Sequence, residues 1–274
     1  MNKRVVSIQD ISCVGQCSLT AALPVLAACG VECAVLPTAL LSTHTGPEFT
    51  VPTKLDLTEA LPRIHQHWKE NRIPFDAIEI GYLGSERQIG FVSDFLSDFH
   101  GPDTIVFLDP VMGDHGRFYS GFDREYARSM AALCGKADII LPNLTEACFL
   151  LDREPVVGCY DVTSCLDLAR RLTGLGAPAV ILTGLELADG QISNLIYRRE
   201  TDAHTLISTP KLPGQHHGTG DLFASACLGR LMWGDALPAA AERASAFVSA
   251  AIANTEPEHK YGVRYEACLR LLMN

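Results

Sequence analysis

The sequence predicts an α/β fold, a three-layer αβα sandwich with a mainly parallel central sheet and an antiparallel hairpin at one edge. Short β-branched runs alternate with helical patterns along most of the 274 residues. Each run ends in a polar or glycine-containing turn, and two late strands follow one another with no helix between them. Alternation of this kind implies parallel strands covered by helices on both faces. Reactive groups then belong beyond the carboxyl ends of the strands.

The elements follow in order. Val5-Val6-Ser7-Ile8 is the first strand; the apolar stretch after Lys3-Arg4 is cut by Gln9-Asp10, which argues against a secretory leader. Leu19 to Leu41 is long enough to cross a bilayer and carries one charge, Glu32. Pro24, Gly30 and Pro37 punctuate it, so it is predicted as helix, turn and strand, the strand centred on Cys33 to Leu36. Ser42 to Thr53 is a polar, proline-interrupted loop of functional length. Strands follow at Ala77 to Ile80, Thr104 to Leu108, Asp138 to Leu141 and Ala179 to Leu182. Helices are predicted over Ser85 to Phe99, Asp123 to Cys134, Thr145 to Leu151 and Asp161 to Leu175. Gln191 to Tyr197 and His204 to Ser208 form the edge hairpin, and two Ala-rich helices run from Asp221 to Trp233 and from Leu237 to Asn254. No repeat, low-complexity tract or linker divides the chain, and a single domain over 1–274 is expected.

Charge narrows the function. With 22 basic and 32 acidic residues the net charge is −10, and no Lys/Arg cluster exceeds a pair. A polyanion partner needs a basic face, so nucleic acid is not expected. Any phosphate handled here must be held by local N–H groups and a metal ion. The ten cysteines lie in apolar segments without a Cys-x-x-Cys pair; Cys13/Cys17 and Cys29/Cys33 are better explained by packing than by metal. A reducing cytoplasm is the expected compartment, with no membrane association.

The phrase Gly218-Thr219-Gly220-Asp221, directly before a helical run, is the strongest chemical signal. Glycines permit a turn whose N–H groups point at an anion, and an acid at that mouth can take a proton from a substrate hydroxyl. The same residues could form a plain tight turn with a helix cap. Other strand ends carry their own phrases: Asp10 to Gly15, Ser42-Thr43-His44-Thr45-Gly46, Gly81-Tyr82-Leu83-Gly84, Asp109-Pro110-Val111-Met112-Gly113-Asp114, Asn143-Leu144-Thr145-Glu146 and Thr183-Gly184.

In this order the phrases resemble the pyridoxal kinase branch of the ribokinase-like superfamily, most closely its compact pyridoxamine kinase-like members. The resemblance implies ATP-dependent phosphorylation of the 5′-hydroxymethyl group of pyridoxal, pyridoxine or pyridoxamine. It makes Asp221 the general base and Gly218, Thr219 and Gly220 the anion hole. Asp109 and Glu146 become magnesium acids, Asp114, Asn143 and Thr183 nucleotide contacts, and Thr45 and Tyr82 pocket residues around the ring. A further monovalent cation is left open, and family members are usually homodimers.

There are two departures. Where the family commonly has Ser after Ile-Gln, this chain has Asp10, suited to a protonated ring nitrogen. Only Pro210 to His217 is available as a lid over the nucleotide. Hydroxymethylpyrimidine kinase is the nearest rival; its anion hole typically ends in Cys where this chain has Asp221. Sugar kinases fit less well, since their N-terminal Gly-Gly motif and sheet-like lid are not found. A non-catalytic ligand sensor on the same fold is the rival of another class.

Overall fold

The structure is a computed structural model that describes residues 3–46, 49–155, 160–187, 190–214, 216–256 and 258–273. Its centre is a nine-stranded sheet. The strands are β1 (Arg4–Ser12), β2 (Glu32–Leu41), β3 (Lys54–Asp56), β4 (Ala77–Ile80), β5 (Ile105–Leu108), β8 (Ile139–Ile140), β9 (Ala179–Glu186), β10 (Gln191–Arg198) and β11 (Ala203–Pro210). They lie in the order β11-β10-β9-β8-β5-β4-β1-β2-β3. β1, β2, β4, β5, β8 and β9 are parallel, while β10 and β11 form the antiparallel edge expected.

Period-two alternation splits the strand residues between two cores. Val6, Ile8, Ile78, Val106 and Val180 face one side, against α3 (Glu86–Phe99), α4 (Arg124–Cys134), α5 (Leu144–Leu150) and α6 (Val162–Thr173). Val5, Ala77, Phe107 and Ile181 face the other, against α1 (Ser18–Ala28), α7 (Thr219–Met232) and α8 (Leu237–Ala253). Fully buried Phe95 and Phe107 anchor one core each. Burying a side chain of this size is worth roughly 1.5–3 kcal/mol.

Five features differ from expectation. α2 (Leu61–Glu70) and a closing 3-10 turn (Glu266–Leu271) were not anticipated. The loop after Leu41 ends in β3, whose three residues are all exposed and so carry no apolar alternation. Gly113–Asp114 and Arg117–Phe118 form a two-residue hairpin, β6 and β7, outside the main sheet. α7 starts at Thr219, so Asp221 lies inside its first turn and does not begin the helix. Gln215 in the expected lid segment, Pro47 and Glu48 in the long loop, and Cys159 lie outside the described residues.

Candidate active site

The catalytic candidates gather at the carboxyl ends of β1, β4, β5, β8 and β9, where the heads of α1 and α7 meet. Gly218 caps α7 with φ 81°, the left-handed region that glycine alone enters freely. A Cβ there would also collide with the Gln16 carbonyl oxygen in the segment leading into α1. The first helical bond runs from Leu222 N–H to Gly218 C=O at 3.0 Å. The amides of residues 219–221 precede it and form the positive end of the helix.

Asp221 is partly exposed in this turn, and its Oδ2 accepts the Ser18 N–H at 2.9 Å. Burial pushes its carboxyl up to about 7, with Asp10 and Glu79 adding to the rise and the Ser18 bond opposing it. A carboxylate titrating there can take a proton near neutral pH.

Asp109 directly follows β5 beside this turn; a Cβ on Gly220 would lie 3.6 Å from its Oδ2. Burial, then the charges of Glu146, Asp221 and Glu79, push Asp109 well above the ordinary carboxylate range. Glu146 is buried and raised to about 8, chiefly by burial. Its oxygens accept the Met112 N–H at 3.1 Å and the Asn143 N–H at 3.0 Å. Asn143 returns the bond by accepting from Glu146 N–H at 3.0 Å, which completes a capping box at the head of α5.

Two crowded acids that repel each other fit a hard dication, since oxygen is its preferred donor and carboxylates have lone pairs beyond the two amides. Among the described residues no group of three or more His, Cys, Asp or Glu is set to hold a metal.

Asn143 and Thr183 lie side by side as a parallel bridge, and Asn143 Nδ2 donates to Gly113 C=O at 2.9 Å. Asp114 is exposed on the β6–β7 hairpin and accepts the His115 N–H at 2.7 Å. It is near enough to add to the rise of Glu146.

A second group centres on Asp10, buried where two β2 residues, Thr38 and Ala39, oppose it in a bulge. Bulges re-aim side chains. Asp10 accepts Ser18 Oγ at 2.6 Å and Ser12 Oγ at 3.3 Å. Burial raises its carboxyl; these hydroxyls and Lys54 oppose the rise. Tyr82 is half-buried, its phenol raised by burial and then by Asp10 and Asp56. Its ring packs against Phe122 at 5.7 Å between centroids, and Lys54 Nζ lies 5.9 Å from it.

Thr45 is exposed, and no hydrogen bond among the described residues ties it to Asp10 or Tyr82. Its neighbour His44 is a buried strut: Nδ1 accepts the Gly46 N–H at 2.9 Å, so Nε2 donates to Lys260 C=O at 3.0 Å.

Sequence reasoning missed five residues at this site. Ser18 bridges Asp10 and Asp221. Cys17 stands at the head of α1, its thiol pushed up to about 12 by burial and Asp221, which disfavours the thiolate. Lys54 flanks Tyr82. The Tyr119 phenol is raised by burial and then by the charges of Glu146, Asp114, Asp109 and Asp221. Glu79 is buried in β4 and accepts Ser7 Oγ and Ser225 Oγ, each at 2.6 Å. Only Tyr119 left a local signal, an aromatic just past a glycine turn.

Known proteins share this fold. A Bacteroides thetaiotaomicron VPI-5482 protein described as a phosphomethylpyrimidine kinase, crystallised with pyridoxal, matches with TM-score 0.94 and 39% identity over 99% of this chain and 96% of its own. The pyridoxal kinase of Lactobacillus plantarum matches with TM-score 0.88 and 32% identity over 98% and 96%. A curated pyridoxal kinase of Rubrobacter xylanophilus is 29% identical over 92% of this chain and 87% of its own length. The fold is therefore the ribokinase-like sandwich expected. The family model described as phosphomethylpyrimidine kinase matches residues 19–264. The chain belongs to that family, and its kinship with pyridoxal kinases agrees with the resemblance carried by the strand-end phrases.

Proposed function

We propose that this protein is a vitamin B6 kinase that moves the ATP γ-phosphoryl group to the 5′-hydroxymethyl oxygen of pyridoxal, pyridoxine or pyridoxamine. One observation carries the reading: Asp221, its carboxyl pushed up to about 7 by burial, stands in the glycine-opened first turn of α7 and is held by the Ser18 N–H. Asp109 lies beside that turn. Asp221 accepts the hydroxymethyl proton as the oxygen attacks the γ-phosphorus. The bond to the β,γ-bridging oxygen breaks and ADP leaves. Gly218, Thr219 and Gly220 supply amides to the charge on the transferred group.

Asp109 and Glu146 would hold magnesium, partly through water, and the ion would neutralise the nucleotide phosphates. Asn143, Thr183 and Asp114 line the nucleotide side. Asp10, Tyr82 and Thr45 take the ring side, with Asp10 pairing with a protonated ring nitrogen. The reading extends to one domain over 1–274 that acts on small molecules in the cytoplasm, and the resemblance adds a homodimer. No described helix is long and apolar enough to cross a membrane.

ATP turnover with separate pyridoxal, pyridoxine, pyridoxamine, hydroxymethylpyrimidine and ribose acceptors tests the proposal. Turnover of at least one B6 vitamer above the others is expected. Turnover of the pyrimidine alone would replace the substrate assignment, a reading favoured by the matched family's description. Binding of a vitamer without turnover would make the protein a sensor. Unchanged vitamer affinity and pH dependence in Asp10→Asn would remove the pyridinium pairing.

A further inference from the structure

Ser18 opens α1 with φ 49°, a left-handed backbone that a serine adopts only under strain. It is 7% exposed. Neither of its site bonds serves its own helix. Its N–H donates to Asp221 Oδ2 at 2.9 Å, and its Oγ donates to Asp10 Oδ1 at 2.6 Å. Cys17, the preceding cap residue, adds no side-chain bond to the helix head. The strained turn thus sets the amide and the hydroxyl of one residue on two acids, 8 and 203 positions away in the chain. Strain of this kind persists only where the surroundings over-determine it, and it clusters at functional sites.

We propose that Ser18 is a positioning residue for the phosphoryl transfer. Its hydroxyl holds the ring-side acid and its amide aims the proton-accepting acid, with the left-handed backbone allowing both at once. This rests on the roles given above to Asp10 and Asp221. It also adds a constraint: the span between the acceptor's ring nitrogen and its hydroxymethyl oxygen must match two carboxylates locked to one residue. An acceptor of different span would satisfy one acid and miss the other.

Ser18→Gly and Ser18→Ala separate the two contacts. Glycine keeps φ 49° accessible and loses the hydroxyl. Its vitamer KM is expected to rise on the order of tenfold, the effect of one hydrogen bond to a charged group, with kcat largely retained. Alanine loses the hydroxyl while its Cβ still opposes the left-handed turn, so the amide loses its anchor as well. Its vitamer KM is expected to rise in the same way, and its kcat to fall on the order of tenfold or more. The KM for ATP should stay at the wild-type value in both.

Wild-type vitamer KM and kcat in both variants would overturn the proposal. So would equal kcat in the two, or an ATP KM that rises in step with the vitamer KM. Failure of both to fold would assign Ser18 to the fold alone and overturn it too. Asp221→Asn, assayed in parallel, keeps the underlying reading separate. If it turns over normally the assignment of the base fails; if it is inactive while the Ser18 variants match wild type, only the Ser18 proposal fails.

Discussion

The heads of α5 and α7 stand within one site and are finished in opposite ways. α5 opens on a closed capping box, with Asn143 and Glu146 each satisfying the other's amide. α7 opens on Gly218, which has no side chain to offer. The contrast runs through the molecule. α3, α4 and α6 are capped by Ser85, Asp123 and Asp161, and α2 and α8 carry proline in the first turn. Of the eight α-helices described, only α1 and α7 have neither device, and these two heads meet at Asp221. The capped helices satisfy their own first amides, α5 within the site included; α1 and α7 leave theirs open toward each other and, on the proposed reading, toward an incoming anion.

The largest expected effect comes from removing the acid at the open head. Asp221→Asn should lower kcat by roughly 10²–10⁴, the range for a general base, while the protein still binds vitamer in an equilibrium titration. Near-normal kcat would end the comparison, since the open head would then serve no proton transfer. Next is Gly218→Ala, which combines φ 81° with a collision against Gln16. A kcat loss of about 10²–10³ is expected, as for a lost oxyanion donor, with a lowered melting temperature.

Electrostatics sharpens the contrast further. The acidic limb of kcat/KM should fall near pH 7, because Asp221 must be ionised to act and its carboxyl is raised to about 7. Glu79→Gln removes one of the charges behind that rise, so the limb should move to lower pH; an unmoved limb would show that Glu79 is uncharged in the working enzyme. Stability runs with the opposite sign to activity. A carboxyl raised in the folded state contributes stability below its ordinary pKa and loses it as pH climbs through about 7. Asp221→Asn, which cannot ionise, should therefore melt about 2–4 °C above wild type at pH 8, the gap narrowing as pH falls and closing only toward the ordinary carboxylate range of about 4.

The smallest effect is the control at a closed head. Asp161→Ala removes the α6 cap, which accepts the Ser164 N–H. It should cost about 1 kcal/mol of stability, measured by urea unfolding, and leave turnover unchanged.

Much of this was legible because it is local. Strand parity sends Val5 and Val6 into different cores, and alternation alone announces it. The Gly218 turn and the Asn143 to Glu146 box are short-range patterns with fixed spacing. β3 was invisible because its three exposed residues alternate with nothing. Nothing local marks Glu79 within its apolar strand; its partners Ser7 and Ser225 lie 72 and 146 residues away. The Ser18 contacts were hidden for the same reason, and its left-handed backbone is a tertiary consequence that no helix propensity of serine foretells.

The 203-residue separation between Ser18 and Asp221 bears on how activity is born. During synthesis the amino-terminal strand and helix emerge long before α7, at a pace of about 5–20 residues per second. Until α7 arrives, the amide that will hold the proton acceptor has nothing to hold. Contacts of such high sequence separation are slow to close, so regained turnover in a refolding experiment should lag behind regained helix signal. An amino-terminal fragment ending before Asp221 should be inert however well it folds, and truncated products should not draw on the cell's ATP.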